Sequence, residues 1–266
     1  MKFTTRLAIG LLCICLFSLK VANGETILKI ATDDWPPYEF YDEQQNVTGF
    51  SSEMLTEVLS RMKLIHMMKA RYNRITIYPW AKAEQMVFNG KLDILYSASP
   101  SENRHRYCYL PDEPIIKSPW VFFIRKQDEA RLNYQSFDSL KEHRVGVVRG
   151  YSYTPQLWDF LRKHSNYKLV NTDQQAFTKL ALGRFDYIIS ELYVGLSIMK
   201  EMEISHKLMP ITDKPIKETG LYYLFSKKTM SPEFVAEFSS ELKKFKTTSA
   251  YQKLYQKYFG GYGLSS

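Results

Sequence analysis

Several side chains and one turn in this sequence have the type and placement to hold a small polar molecule. Arg104 follows the small polar run Ser97-Ala98-Ser99. A guanidinium there can grip a carboxylate with two parallel hydrogen bonds, and Ser97 and Ser99 can add hydroxyl or backbone donors. Gly150-Tyr151-Ser152 stands between an apolar run and an amphipathic one. Backbone N–H groups in such a turn point at a bound anion, helped by the following helix dipole. Glu191 closes the run Tyr187–Ile189 and can meet an ammonium, and Trp35 offers an aromatic face. Each residue also has a purely structural reading. Arg104 can pair with Asp112 or Glu113, Glu191 can favour the start of its own helix, and Trp35 can be core.

Catalytic signatures do not accompany these residues. Gly150-Tyr151-Ser152-Tyr153 is followed by Thr154 rather than Gly, and neither a phosphate-binding Walker motif nor G-x-G-x-x-G is present. The five His (His66, His105, His143, His164, His206) are scattered without metal-ligand spacing, so neither a metal nor a cofactor is expected. Asn46-Val47-Thr48 is a glycosylation sequon.

The elements that must position these residues alternate. The spacing predicts strands at Ile27–Ala31, Arg74–Tyr78 and Asp93–Tyr96, separated by a helix that Gly49 and Ser51-Ser52 open, with Ser51 or Ser52 as its cap, and by a helix at Trp80–Phe88. The apolar strand Trp120–Ile124 leaves this unit. The alternation restarts with strands at Val145–Val148, Tyr167–Val170 and Tyr187–Ile189, each followed by a helix. Leu221–Phe225 returns, and two helices near Pro232–Phe245 and Ala250–Tyr258 end the chain. Strand–helix alternation is the mark of parallel α/β sheets. The expected fold is therefore two α/β lobes, the second inserted in the first: residues 25–121 plus 222–266 form lobe 1, and 122–221 form lobe 2. All the candidate residues then sit at strand C-termini, where open α/β sheets bind ligands, and the cleft can close by hinging at the two crossovers.

Composition fits a secreted globular chain. The 266 residues carry 36 Lys+Arg against 28 Asp+Glu, with 45% hydrophobic residues and a mean hydropathy of −0.32, which excludes disordered and polytopic membrane classes. Lys2 and Arg6 precede the apolar run Leu7–Leu19, about 13 residues against the roughly 20 a span needs. Ala22-Asn23-Gly24 then suits a signal-peptide cleavage site, so residues 1–24 are expected to be removed after Gly24. Loss of Lys2, Arg6 and Lys20 takes the net charge from +8 to +5. Cys13 and Cys15 leave with the peptide, and Cys108 remains alone as a small buried hydrophobe. The basic run Lys243-Lys244-Phe245-Lys246 reads as a solvated helix face, and no nucleic-acid partner is expected.

Taken in order, several short motifs resemble the bacterial extracellular solute-binding proteins of family 3, periplasmic proteins of polar amino acid uptake with a type II two-lobed fold. They are Ala31-Thr32-Asp33…Trp35-Pro36-Pro37-Tyr38, Gly49-Phe50-Ser51-Ser52-Glu53-Met54, Gly90-Lys91-Leu92-Asp93, Ser101-Glu102-Asn103-Arg104 with the later Pro114, Val145-Gly146-Val147…Gly150-Tyr151-Ser152 and Gly183-Arg184-Phe185-Asp186. The resemblance implies that Arg104, Ser97, Ser99, Tyr151 and Ser152 hold a ligand carboxylate. It implies too that Glu191 meets an α-ammonium, that Trp35 stacks on the ligand, and that Asp33 contacts its side chain. It further implies a non-enzymatic monomer that captures a small polar solute, an amino acid or related carboxylate, and delivers it to an inner-membrane ABC permease. A dehydratase or lyase on the same scaffold and a ligand-presenting sensor partner are the alternatives. Glu191 in place of the usual Asp, Ser101-Glu102 in place of Thr-Pro and Tyr151 in place of Thr are the departures from the family pattern.

Overall fold

The computed structural model describes residues 28–62, 75–132, 134–149, 151, 153–164 and 166–260. The expected signal peptide, His66 and Ser152 lie outside them. In chain order the strands are β1 (Ile30–Thr32), β2 (Phe40–Tyr41), β3 (Val47–Thr48), β4 (Thr76–Ile77), β5 (Ile94–Ala98), β6 (Cys108–Tyr109), β7 (Ile116–Arg125), β8 (Val145–Val148), β9 (Tyr167–Val170), β10 (Tyr187–Glu191), β11 (Leu208–Ile211) and β12 (Lys217–Ser226). The helices are α1 (Phe50–Arg61), α2 (Trp80–Phe88), α3 (Glu102–Tyr107), α4 (Pro155–His164), α5 (Asp173–Ala181), α6 (Leu192–Glu201), α7 (Pro232–Lys246) and α8 (Ser249–Phe259).

One lobe is built on β4-β1-β5-β12 and the other on β7-β10-β8-β9. The first three strands of the former and the last three of the latter run parallel, as helical crossovers require. The two ten-residue strands β7 and β12 join the sheets. They pair antiparallel from Ile116↔Leu221 to Trp120↔Lys217. Beyond that shared segment β7 pairs with β10 and β12 with β5. The strand order is therefore continuous from one lobe to the other, with β12 pairing to β5 on one side and to β7 on the other. The sequence reading saw only the most apolar half of each crossover strand and missed β2, β3, β6, β11 and α3, all short or polar.

The two lobes use one device at the N-terminal edge of their sheets. Lys29 N donates to Asp93 Oδ2 at 2.7 Å and Asp93 N to Lys29 O at 2.8 Å. Arg144 N donates to Asp186 Oδ2 at 3.0 Å and Asp186 N to Arg144 O at 2.9 Å. In each lobe an aspartate thus clips the start of one strand to the start of its neighbour. Asp186 also meets the guanidinium groups of Arg144, Arg131 and Arg125. Burial pushes its carboxyl up, but the Arg144 bonds and charges outweigh that and hold it down at about 2.

Helix α1 corrects one expectation. Neither Ser51 nor Ser52 caps it. Gly49 occupies the cap at φ 113°, and the first free N–H groups are taken by backbone carbonyls, Phe50 N by Pro37 O at 3.0 Å and Ser51 N by Tyr38 O at 2.9 Å. Both serines are buried in the first turn. Met54, Leu55, Val58, Leu59 and Met62 face inward as the helical spacing predicts. Gly90, at φ 74°, follows α2 in a conformation that only glycine adopts cheaply. The largest buried cluster is continuous across both lobes, joining Tyr38, Phe50 and Ile94 to Phe123, Phe177 and Ile188. Cys108 is free and buried, and burial pushes its thiol up to about 12, so it is an inert core residue.

Candidate functional site at the junction of the lobes

The candidate residues do lie at strand C-termini, but they do not converge. Trp35 and Tyr151 come together. They line a cavity of about 230 Å³ with Asp34 from the loop after β1, Asp173 from the start of α5, and Val194, Ser197 and Glu201 from α6. The loop after β1 belongs to one lobe and the other elements to the second, so both contribute walls. Trp35 is held by its ring contact with Tyr38, 5.1 Å between centroids, and by a backbone bridge to Glu39. Tyr151 donates its hydroxyl to Asp173 Oδ2 at 2.6 Å and sets its ring edge-on to Trp120 at 5.8 Å. Burial, then the Asp173 charge, raises the Tyr151 phenol far above its ordinary range, so it stays a donor. Burial likewise raises the Asp173 carboxyl, opposed by the Tyr151 bond.

Arg104 is placed elsewhere. Its Nε and Nη2 each lie 2.8 Å from Glu84 Oε1, its Nη1 donates to Ser99 O at 2.5 Å, and its guanidinium carbon sits 5.1 Å from the centre of the Trp80 ring. It is a surface-type pair, but with Glu84 on α2 rather than with Asp112 or Glu113; Glu113 pairs with Lys246. Ser99 serves through its carbonyl, an acceptor rather than the expected donor.

Ser97 turns inward. At φ 62° its hydroxyl lies 2.6 Å from Glu39 Oε2 and 2.8 Å from Ser51 Oγ, and it is 6% exposed. Glu39 is completely buried, and one of its oxygens has no hydrogen-bond partner. Burial, then the charge of Asp33, holds this carboxyl well above the usual range, a shift toward the uncharged form that a half-satisfied carboxyl in a core favours. Asp33 is half-buried, and burial pushes it up to about 6, with a smaller push from Asp34.

Glu191 fulfils its structural reading. One carboxylate oxygen accepts Val194 N at 2.9 Å, capping α6, and the other accepts the Tyr38 hydroxyl at 3.1 Å. At 1% exposure, burial raises it to about 7 against the lowering effect of these bonds. Tyr38, Glu39, Glu84 and Asp173 are the residues that sequence reasoning passed over. Asp173 could have been found, since it stands just beyond the C-terminus of β9. Glu84 could not, because a polar residue on an amphipathic helix gives no sign of which partner it reaches. Among the described residues no group of three or more His, Cys, Asp or Glu could hold a metal ion.

The comparisons with known proteins agree with the fold. The family model for bacterial extracellular solute-binding proteins, family 3, matches residues 28–261. The chain is 21% identical over 249 residues to the arginine-binding periplasmic protein of Mannheimia haemolytica, covering 92% of this chain and 96% of that one. It is 23% identical over 252 residues to a putative ABC transporter arginine-binding protein of Escherichia coli K12, covering 91% and 94%. Among solved structures, a probable amino-acid ABC transporter extracellular-binding protein of Bacillus subtilis superposes with a TM-score of 0.70 at 14% identity, covering 88% of this chain and 99% of that one. The order of motifs, the two crossover strands and the match over nearly the whole described chain make this protein a member of the bacterial extracellular solute-binding proteins of family 3.

Proposed function

We propose that this chain captures a small polar solute in the periplasm and delivers it to an inner-membrane ABC permease, acting as a binding protein rather than an enzyme. The observation that carries the reading is the cavity whose walls come from both lobes, Asp34 and Trp35 on one side and Tyr151 and Asp173 on the other. A solute in contact with both walls favours the closed arrangement over the open one by its differential affinity, which is what drives lobe closure. At about 230 Å³ the cavity is below the roughly 300–1,000 Å³ of drug-sized sites and suits a molecule of amino acid size. The relatives named for arginine binding support a solute of that kind.

Residues 25–121 plus 222–266 and residues 122–221 are the two bodies that close. Trp35 and Tyr151 are the contacts we assign to the solute among the residues expected from sequence. Catalysis is disfavoured because Glu191, the best acid–base candidate by its placement, is buried and has both oxygens engaged. The test is a thermal-shift screen of the protein purified from periplasm against amino acids, amines, guanidines and organic acids. A ligand at 100 times its Kd should add about 2.7 kcal/mol of apparent stability. Stabilisation by one chemical class is the expected result, and a flat response to the whole panel would sink the reading.

A further inference from the structure

The cavity is framed by charge of one sign. Asp34, Asp173 and Glu201 line it, the remaining lining residues are uncharged, and no Lys, Arg or His is among the described residues that form its walls. Asp173 is no surface acid. It is 7% exposed and fixed in place by the Tyr151 hydroxyl at 2.6 Å. Trp35 and Tyr151 add aromatic faces to the same walls, and aromatic faces attract cations, most strongly when water is excluded.

A second observation is independent of the cavity. An α-amino acid brings a carboxylate that needs a cation, and the residue expected to provide it already has one. Glu84 Oε1 lies 2.8 Å from two nitrogens of Arg104, while Ser99 O takes a third and Trp80 covers the guanidinium. Glu84 is tethered in the same chain, so it competes at an effective concentration on the order of millimolar or above. A dilute solute carboxylate cannot match that without stronger geometry. Arg104 also does not line the cavity.

Resting on the solute-binding reading above, we propose that the cavity takes a small organic cation without a carboxylate, an amine or guanidine base, since its walls offer three acids and no cation and Arg104 is engaged outside it. Asp173, Asp34 and Glu201 supply the counter-charge, and Trp35 and Tyr151 the apolar and cation–π contacts.

The test is isothermal titration of the periplasmically purified protein with agmatine and with arginine. These share the guanidinium and the chain and differ by the carboxylate alone. Agmatine is expected to bind at least about ten-fold more tightly. Asp173→Asn should weaken agmatine at least about ten-fold, and because that variant disturbs a buried bond, Glu201→Gln, at an exposed wall position, provides a second reading in the same direction. Equal or tighter binding of arginine by the unaltered protein would overturn the proposal while leaving solute binding intact. So would a screen in which only neutral or anionic solutes stabilise the protein. No stabilisation by any solute would remove the solute-binding reading as well.

Discussion

The Tyr38 hydroxyl donates to Glu191 Oε1 at 3.1 Å across the junction of the two lobes, and both residues are buried to within 1% of completely. Tyr38 lies in the loop after β1, and Glu191 ends β10 and caps α6. The bond therefore ties the first loop of one lobe to a helix start in the other, beside the cavity rather than inside it. Tyr193 and Tyr255 repeat the arrangement nearby, hydroxyl to hydroxyl at 2.9 Å, between α6 and the C-terminal helix.

Removing the Tyr38 hydroxyl tests the tie. Tyr38→Phe keeps the ring contacts with Trp35 and Phe259 but leaves one buried carboxyl oxygen short of a donor. The expected loss is about 1–3 kcal/mol, the cost of an unmade bond to a buried polar group. Urea unfolding measures it, and an unchanged midpoint would mean that the two lobes do not share this bond in solution.

The same carboxyl makes stability depend on pH in an unusual direction. Glu191 is raised from 4.5 to about 7 and Asp33 from 3.8 to about 6, in both cases chiefly by burial. Between those limits the folded protein holds protons that the unfolded chain releases. Stability from these groups is therefore full below about pH 4 and declines as pH rises toward 7. For Glu191 the loss is on the order of 3 kcal/mol at 1.36 kcal/mol per pH unit. Asp186 acts oppositely: held at about 2, its contribution is lost only as pH falls below about 4. Urea midpoints at pH 5 and pH 7.5 should show the unaltered protein losing more stability on the rise than Glu191→Gln does. Equal losses in the two proteins would refute the assignment.

What was legible in the sequence was what periodicity and backbone chemistry determine. The apolar runs placed β8 and β9 at their observed limits and α2 at Trp80–Phe88, because each is bounded by residues that end an element whatever surrounds it. Asp93 and Asp186 read as motif members, and the structure explains them as strand clips. The site was less legible, because its residues are defined by partners distant in sequence. Arg104 reads as a free carboxylate grip until Glu84, twenty residues earlier, is found against it. Ser97 reads as a cleft donor until its positive φ turns the hydroxyl toward Glu39. Ser51 reads as a cap until Gly49 lets the chain pass close enough for Tyr38 O to do that work. Spacing reports which residues share a strand end, not which of them are already satisfied.

Arg125 is the node on which the second lobe's framework depends. Its guanidinium donates to Leu180 O at 3.1 Å and Phe185 O at 2.5 Å and pairs with Asp128 and Asp186, at 8% exposure. Arg125→Ala would take a donor from the buried Asp186, from the half-buried Asp128 and from two carbonyls. Breaking such a buried network by removing one partner costs about 3–5 kcal/mol. Chemical denaturation should show that loss. Loss of under 1 kcal/mol would mean that the network is open to solvent.

Gly49 sets the geometry from which the cavity's first wall is built. It holds φ 113°, and a Cβ there would sit 2.3 Å from Tyr38 O and 2.7 Å from Glu39 N, both backbone atoms that cannot turn aside. Yet that close approach is what allows Ser51 N to reach Tyr38 O and Phe50 N to reach Pro37 O, fixing the loop that carries Asp34, Trp35 and Tyr38. Gly49→Ala therefore does two things at once. It strains a conformation that residues with a Cβ rarely adopt, and it pushes the loop off the start of α1. The expected cost is at least about 3 kcal/mol, at the upper end of what overpacking alone produces. Affinity for whichever solute stabilises the unaltered protein should fall with it, because Trp35 is displaced along with the loop. Thermal unfolding of the variant with and without that solute separates the two effects: a lower midpoint with an undiminished ligand shift would show that Gly49 serves the fold alone.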